Sequence, residues 1–157
     1  MWILRRATEV DRDALADMYM MDFKDNYIHA LLFANNLVEN QMTILCFHEK
    51  DLAGVLCWGV RGLLENGICE ITHLIVRPSF QRKSAGIQLV DEAITIAEKY
   101  YEERGFQFRL MYSFLKKKNT VNGPFLKSND FVRVSEITSF YPDDDAVIWI
   151  RYLGKEK

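Results

Sequence analysis

Apolar and polar residues change period several times along the chain, and each change marks an element. Residues 2–7, WILRRA, read as a short strand, after which Thr8 and Asp11 offer caps for a helix that reaches about Met20. In DFKDNYIHALLFANNL, Tyr27, Leu31, Leu32 and Asn35 recur at helical spacing, which predicts a second, irregular helix. MTILCFHEKDLAGVLCWGVRGL holds two strand patterns around the polar break from His48 to Asp51, the punctuation of a hairpin, and CEITHLIV is a third strand. From Lys83 to Arg104, the residues Ile87, Val90, Ile94, Ala97 and Tyr101 trace the stripe of an amphipathic helix that Gly105 ends. FQFRLMYSFL and DAVIWIRYL are further strands, with a basic run, a short helix from Val121 to Ser128 and the strand-like RVSEITSF between them. The order predicts a mixed α/β fold with a mostly antiparallel central sheet flanked by helices.

At 157 residues, 49% of them hydrophobic, the chain is expected to form a single domain, residues 1–157, around one core. The net charge of −2 offers no whole-molecule field for nucleic acid or an anionic membrane, so anion binding would have to come from a local site. Three cysteines, Cys46, Cys57 and Cys69, share no CxxC or His–Cys spacing, which argues against a disulfide framework or a zinc site. A reducing compartment fits that pattern. The N-terminal MWILRRATEVDRD lacks a long apolar stretch, and no run approaches the length of a membrane span. The expectation is a cytoplasmic protein that requires no metal, with oligomeric state left open, a homodimer included.

The most informative segment is LIVRPSFQRKSAGIQLV, where a strand enters a helix through a turn. Such a turn presents backbone N–H groups backed by the positive end of the helix dipole, a geometry that holds phosphate, and Arg82 and Lys83 add charge at the same place. Within EITHLIVRPSFQRKSAGIQLV, Leu74, Val76, Pro78, Gln81 and Gly86 match a strand ending in Leu-x-Val, a Pro-containing turn, and Gln/Arg-x-x-Gly-x-Gly/Ala. This resembles the central motif of the GNAT N-acetyltransferases, and the order of elements before and after it is also theirs. The resemblance implies the acyl-CoA N-acyltransferase fold and acetyl-CoA as cosubstrate. It implies that Leu74, Ile75 and Val76 hold the pantetheine arm, and that Arg82, Lys83, Ser84, Ala85, Gly86 and Ile87 cradle the pyrophosphate. Ser84 stands where the family has its first glycine. Serine keeps the backbone N–H and adds a hydroxyl donor, but a positive φ there would cost it roughly 1–2 kcal/mol.

The second half of the pattern is eroded. The family's Asn-x-x-Ala…Tyr-x-x-x-Gly-Phe meets Asn119 and Phe131 here, with Asn122, Leu126 and Asp130 at the altered places. By resemblance Asn119 contacts the cosubstrate, while Leu126 takes the position of the usual general acid. A thiol with a pKa of about 8.5 leaves without strong acid help, and Tyr112 is either a substitute acid or a core aromatic. Glu70 lies eleven residues before Gln81, the spacing at which the histone-acetylating branch of the family resembles this chain and carries its catalytic glutamate. Glu70 is therefore either a base, desolvated among Ile71, Leu74 and Val76, or a solvated residue at the start of its strand. His73, on the opposite face, reads as a packed or surface histidine. The implied chemistry is deprotonation of an amine through Glu70, attack on the thioester, and stabilisation of the oxyanion by strand N–H groups.

Two fragments bear on the acceptor. DFKDNY, with Asp25, Asn26 and Tyr27, resembles the Pro-Glu-Asn-Tyr loop of protein N-terminal acetyltransferases, and SFYPDDDAVIWIRYL resembles their Tyr-Tyr…Asp-Ala-x-x-Met end. Asp25, Tyr27 and Tyr141 would then flank a peptide α-amine, which at a pKa of about 8 is more readily deprotonated than lysine. A small-molecule amine acetyltransferase and a non-catalytic acyl-CoA sensor remain the alternatives. The run Lys116, Lys117, Lys118 reads as a solvated loop rather than a nucleic-acid surface, within reach of the CoA 3′-phosphate. Asp143 to Asp145 read as solvated surface, able to attract a cationic acceptor if they border its cleft.

Overall fold

Strand β1 (Trp2–Arg6) passes into helix where Thr8 and Asp11 were expected to cap it. The Asp11 carboxylate accepts the Thr8 N–H at 2.8 Å and receives Arg5 through two hydrogen bonds of 2.8 and 2.7 Å. This pairing lets a carboxylate sit buried at the entrance of the helix. A 3-10 turn follows, then α1 (Arg12–Phe23). The structure is a computed structural model that describes residues 1–23, 26–39, 41–81 and 84–154, with residues 22 and 23 described by backbone alone.

Helix α2 (Tyr27–Glu39) is regular rather than irregular, and Asn26 caps it by accepting the His29 N–H at 2.8 Å. Its inward face differs from the expected stripe. Ala30, Ala34 and Leu37 are buried, while Tyr27 and Leu32 are exposed. The two alanines and Leu37 join the core cluster that contains Leu15, Ala16 and Met18 of α1, with Leu31, Phe33 and Val38 packed at its edge. Hairpin β2 (Met42–His48) and β3 (Asp51–Arg61) turns through Glu49, which takes φ 57°. Strand β4 (Ile68–Val76) and a 3-10 turn at Pro78–Phe80 lead to α3 (Ala85–Glu102), whose chain direction reverses after Gly105 at φ 81°. The helix buries Leu89, Val90, Ala93, Ile94, Ala97 and Tyr101, whereas Ile87, expected on that stripe, is exposed.

Strand β5 (Leu110–Lys116) begins later than the apolar run from Phe106 suggested, because the Phe108 ring stacks on Tyr101 at 5.6 Å instead of joining the ladder. Helix α4 (Asn122–Ser128) and the hairpin of β6 (Val132–Tyr141) and β7 (Asp144–Tyr152) complete the chain. Among the described residues seven strands form one sheet in the order β1-β2-β3-β4-β5-β7-β6. The pairs β1–β2, β2–β3, β5–β7 and β6–β7 are antiparallel and β4–β5 is parallel, so the fold is the mixed, mostly antiparallel α/β class predicted. No helix among the described residues is long and apolar enough to cross a membrane.

Chain contacts divide into two units, Met1–Gly59 with His73–Ala93, and Val60–Thr72 with the chain from Ile94 onward. In the first, α1 and α2 pack on β2 and β3 around Leu15, Leu37, Leu45 and Val55. Gly54 belongs there: a Cβ on it would stand 2.9 Å from the Ile75 carbonyl oxygen and 3.1 Å from Leu89. In the second, Cys69, Ile71, Met111, Tyr101 and Phe131 are buried, and the Tyr101 hydroxyl donates to the Ile68 carbonyl at 2.8 Å.

Candidate active site

Glu70 and Tyr112 are register partners, the last pair of a β4–β5 ladder that runs from Ile68–Leu110 to Glu70–Tyr112. Partners in register project to the same face, and the Tyr112 hydroxyl donates to Glu70 Oε1 at 3.3 Å. Arg61, the last residue of β3, donates from Nε to the same oxygen at 2.8 Å and from a terminal nitrogen to the Val60 carbonyl at 3.0 Å. Glu70 is thus neither solvated nor isolated among aliphatic side chains: its side chain is 16% exposed and ion-paired. Both contacts use Oε1, and among the described residues Oε2 has no hydrogen-bond partner. Burial, and after it the charge of Glu70, push the Tyr112 hydroxyl up, so it stays protonated through neutral pH. Sequence reasoning misses Arg61. Its signal is a single charge closing the apolar run VLCWGVR on a strand that leads into β4.

Leu74, Ile75 and Val76 form the half-buried end of β4, and Gln81 Nε2 returns to the Val76 carbonyl at 3.2 Å. Arg82 and Lys83 lie outside the described residues. Ser84 takes φ 69°, the left-handed conformation for which glycine is the ordinary choice. Its carbonyl accepts the Gln88 N–H at 3.0 Å, the first hydrogen bond of α3. Ala85, Gly86 and Ile87 therefore contribute N–H groups that precede the helical ladder. The Ala85 side chain turns inward and Ile87 is 44% exposed at this end of the helix.

Asn119 acts on its own loop, where its Oδ1 accepts the N–H groups of Val121 at 3.1 Å and Asn122 at 2.8 Å and so starts α4. Leu126 is 1% exposed, a core residue at the place of the usual acid. Tyr141 ends β6, with Lys116 Nζ 5.6 Å from its ring centre, and burial pushes its hydroxyl up. Tyr27 is exposed at the start of α2, and Asp25 lies outside the described residues. His73 packs edge-on against Phe33 at 5.8 Å, as a packed histidine. The basic and acidic runs are not merely solvated. Lys116 pairs with Asp143 at 2.9 Å and Lys117 with Glu136 at 3.1 Å, while Asp144 accepts the Lys118 N–H at 2.7 Å. Asp145 accepts the Ser139 N–H at 2.8 Å, so the two runs fasten the β6–β7 hairpin to the end of β5.

The sequence matches the acetyltransferase (GNAT) family over residues 8–128, and the chain belongs to that family. Its structure is similar to that of a GNAT acetyltransferase from Desulfovibrio desulfuricans, with TM-score 0.79 and 18% identity over 98% of this chain and 100% of that one. It is also similar to the ribosomal-protein-S18-alanine N-acetyltransferase of Escherichia coli, with TM-score 0.74 and 17% identity over 100% and 99% of the two chains. Ard1 from Thermoplasma volcanium gives TM-score 0.75 and 15% identity over 98% and 99%. At these identities the likeness is one of fold. A comparison with curated proteins finds no match.

Proposed function

We propose that the protein transfers an acetyl group from acetyl-CoA to a primary amine, with a peptide or protein α-amine as the leading acceptor. The observation that carries this reading is the contact between Tyr112 and Glu70 on the strand that continues into Leu74, Ile75 and Val76. The residues present fit the cosubstrate. The first turn of α3 offers the N–H groups of Ala85, Gly86 and Ile87 to an anion, and Ser84 shapes the entry. In sequence, Arg82 and Lys83 stand immediately before that turn. Leu74 to Val76 would lie along the pantetheine arm. Asn119, fixed by its own loop, would present its amide nitrogen, and Asp25, Tyr27 and Tyr141 would border the acceptor.

When bound, acetyl-CoA supplies the activated thioester; the chain supplies proton handling. Glu70 Oε1 is held by Arg61 and Tyr112, which leaves Oε2 to take the proton of the acceptor ammonium, directly or through water. Tyr112, protonated at neutral pH, gives its proton to the leaving thiolate. Tyr112 then regains a proton from solvent, and the proton taken up at Oε2 and the second amine proton both pass to solvent, so the pair is restored and one proton is released per turnover. The buried Leu126 supports one other reading, a non-catalytic acyl-CoA-binding module. Thiol release measured with acetyl-CoA and a panel of peptides and small amines separates the two. Glu70→Gln is expected to lower turnover roughly 10²-fold, the lower end for a positioned acid–base group, with acetyl-CoA affinity unchanged. Turnover equal to the native protein's would remove Glu70 from the reaction, and acetyl-CoA binding without release for any acceptor would select the binding module.

A further inference from the structure

The sheet face around Glu70 carries a continuous apolar surface. On β5, Met111 and Ser113 turn into the core, while Tyr112 and Phe114 stand half-buried on the other face. Register adds β7 to that face, with Ile150 opposite Tyr112 and Ile148 opposite Phe114, both half-buried. Aromatic contacts carry it onto β6. Tyr112 meets Phe114 edge-on at 5.5 Å, Phe140 stacks on Phe114 at 5.1 Å, and Tyr141 meets Phe140 edge-on at 5.1 Å. Phe140 is nevertheless 49% exposed. A contiguous apolar surface that stays half-buried, with one ring exposed at its edge, is a place where a ligand can be received.

The charges at this surface identify the ligand. Arg61 is committed to Glu70 and Lys116 to Asp143, so both cations already have carboxylate partners. Glu70 Oε2, without a partner among the described residues, is a carboxylate oxygen bordering an aromatic row. An ammonium group complements the carboxylate and the ring faces together. A second cation on the ligand would meet Arg61 and Lys116, and an anion would meet Glu70.

We propose that this face binds the part of the acceptor next to its amine and selects a primary amine whose neighbouring carbons carry an aromatic or bulky aliphatic group. The proposal rests on Glu70 as the group that receives the amine. The chemistry is shared by two sources, a peptide beginning with Phe or Leu and a small arylalkylamine. Peptides differing only in a first residue of Phe, Leu, Ser, Asp or Lys, together with 2-phenylethylamine and ethanolamine, distinguish them by kcat/KM. The apolar members of each set are expected to exceed the polar ones by at least about tenfold, the scale of a hydrophobic pocket's discrimination. Phe140→Ala, at a half-exposed position, should shrink that ratio severalfold without changing acetyl-CoA affinity. Flat or reversed preference in the native protein, or a preference that Phe140→Ala leaves intact, overturns the proposal. Calorimetric binding of 2-phenylethylamine against ethanolamine, in the native protein and in Glu70→Gln, reads the face without turnover. Equal affinities in the native protein overturn the apolar selection. A preference that survives in Glu70→Gln together with unchanged turnover keeps the apolar face and removes Glu70 as base.

Discussion

Ser84 sets backbone strain against the phosphate-cradling role proposed for its turn. Its φ of 69° costs an L side chain roughly 1–2 kcal/mol, and glycine would escape that cost while losing about 0.5–1 kcal/mol through the freer unfolded chain. Ser84→Gly is therefore expected to raise stability by up to about 1.5 kcal/mol in chemical denaturation and to hold or improve acetyl-CoA affinity. A loss of affinity would show that the hydroxyl itself donates to phosphate. The positive φ was legible as a condition, because a serine at a glycine position asks whether the turn needs it. The ion pair of Glu70 was not legible. It joins the end of β3 to the third residue of β4, and which residues face each other depends on strand register, which local periodicity does not set. For the same reason the lysine and aspartate runs read as solvated until the hairpin brings Lys116 against Asp143.

The elements themselves were largely written in local pattern. The strand–helix boundary at Thr8 and Asp11 was readable because a cap acts over three residues, and the structure adds Arg5 as partner of the same carboxylate. Arg5, through its hydrogen bonds, and then the Thr8 N–H hold the Asp11 carboxyl below the usual carboxylate range. A lowered folded-state pKa contributes stability that is present above the unfolded value, near 4, and is lost as pH falls through the lower folded value. Asp11→Asn should thus remove part of the loss of stability seen on acidification between about pH 5 and pH 2, and should cost about 1–2 kcal/mol at neutral pH, the scale of a charge-assisted hydrogen bond discounted for the exposure of Arg5. Urea denaturation of both proteins across that range checks it, and parallel pH curves would contradict it. The inward face of α2 keeps Leu31 of the expected stripe at the edge of the core but leaves Tyr27 and Leu32 exposed, because close helix packing selects Ala30 and Ala34. The onset of β5 departs from its apolar run because Phe108 stacks on Tyr101.

At the scale of the whole molecule, membership of the GNAT family and the mixed sheet agree with the element order read from the chain. With a net charge of −2, binding of a polyanionic cosubstrate has to come from one locality, and the proposed locality is the entrance of α3, where N–H groups precede the helical ladder. Calorimetric titration of the native protein and of Gly86→Glu with acetyl-CoA tests this most directly. The native protein should bind at one saturable site, and the variant, folded by circular dichroism, should not, because its carboxylate would stand where the pyrophosphate is received. No binding by the native protein, or equal affinity in the folded variant, would contradict the account.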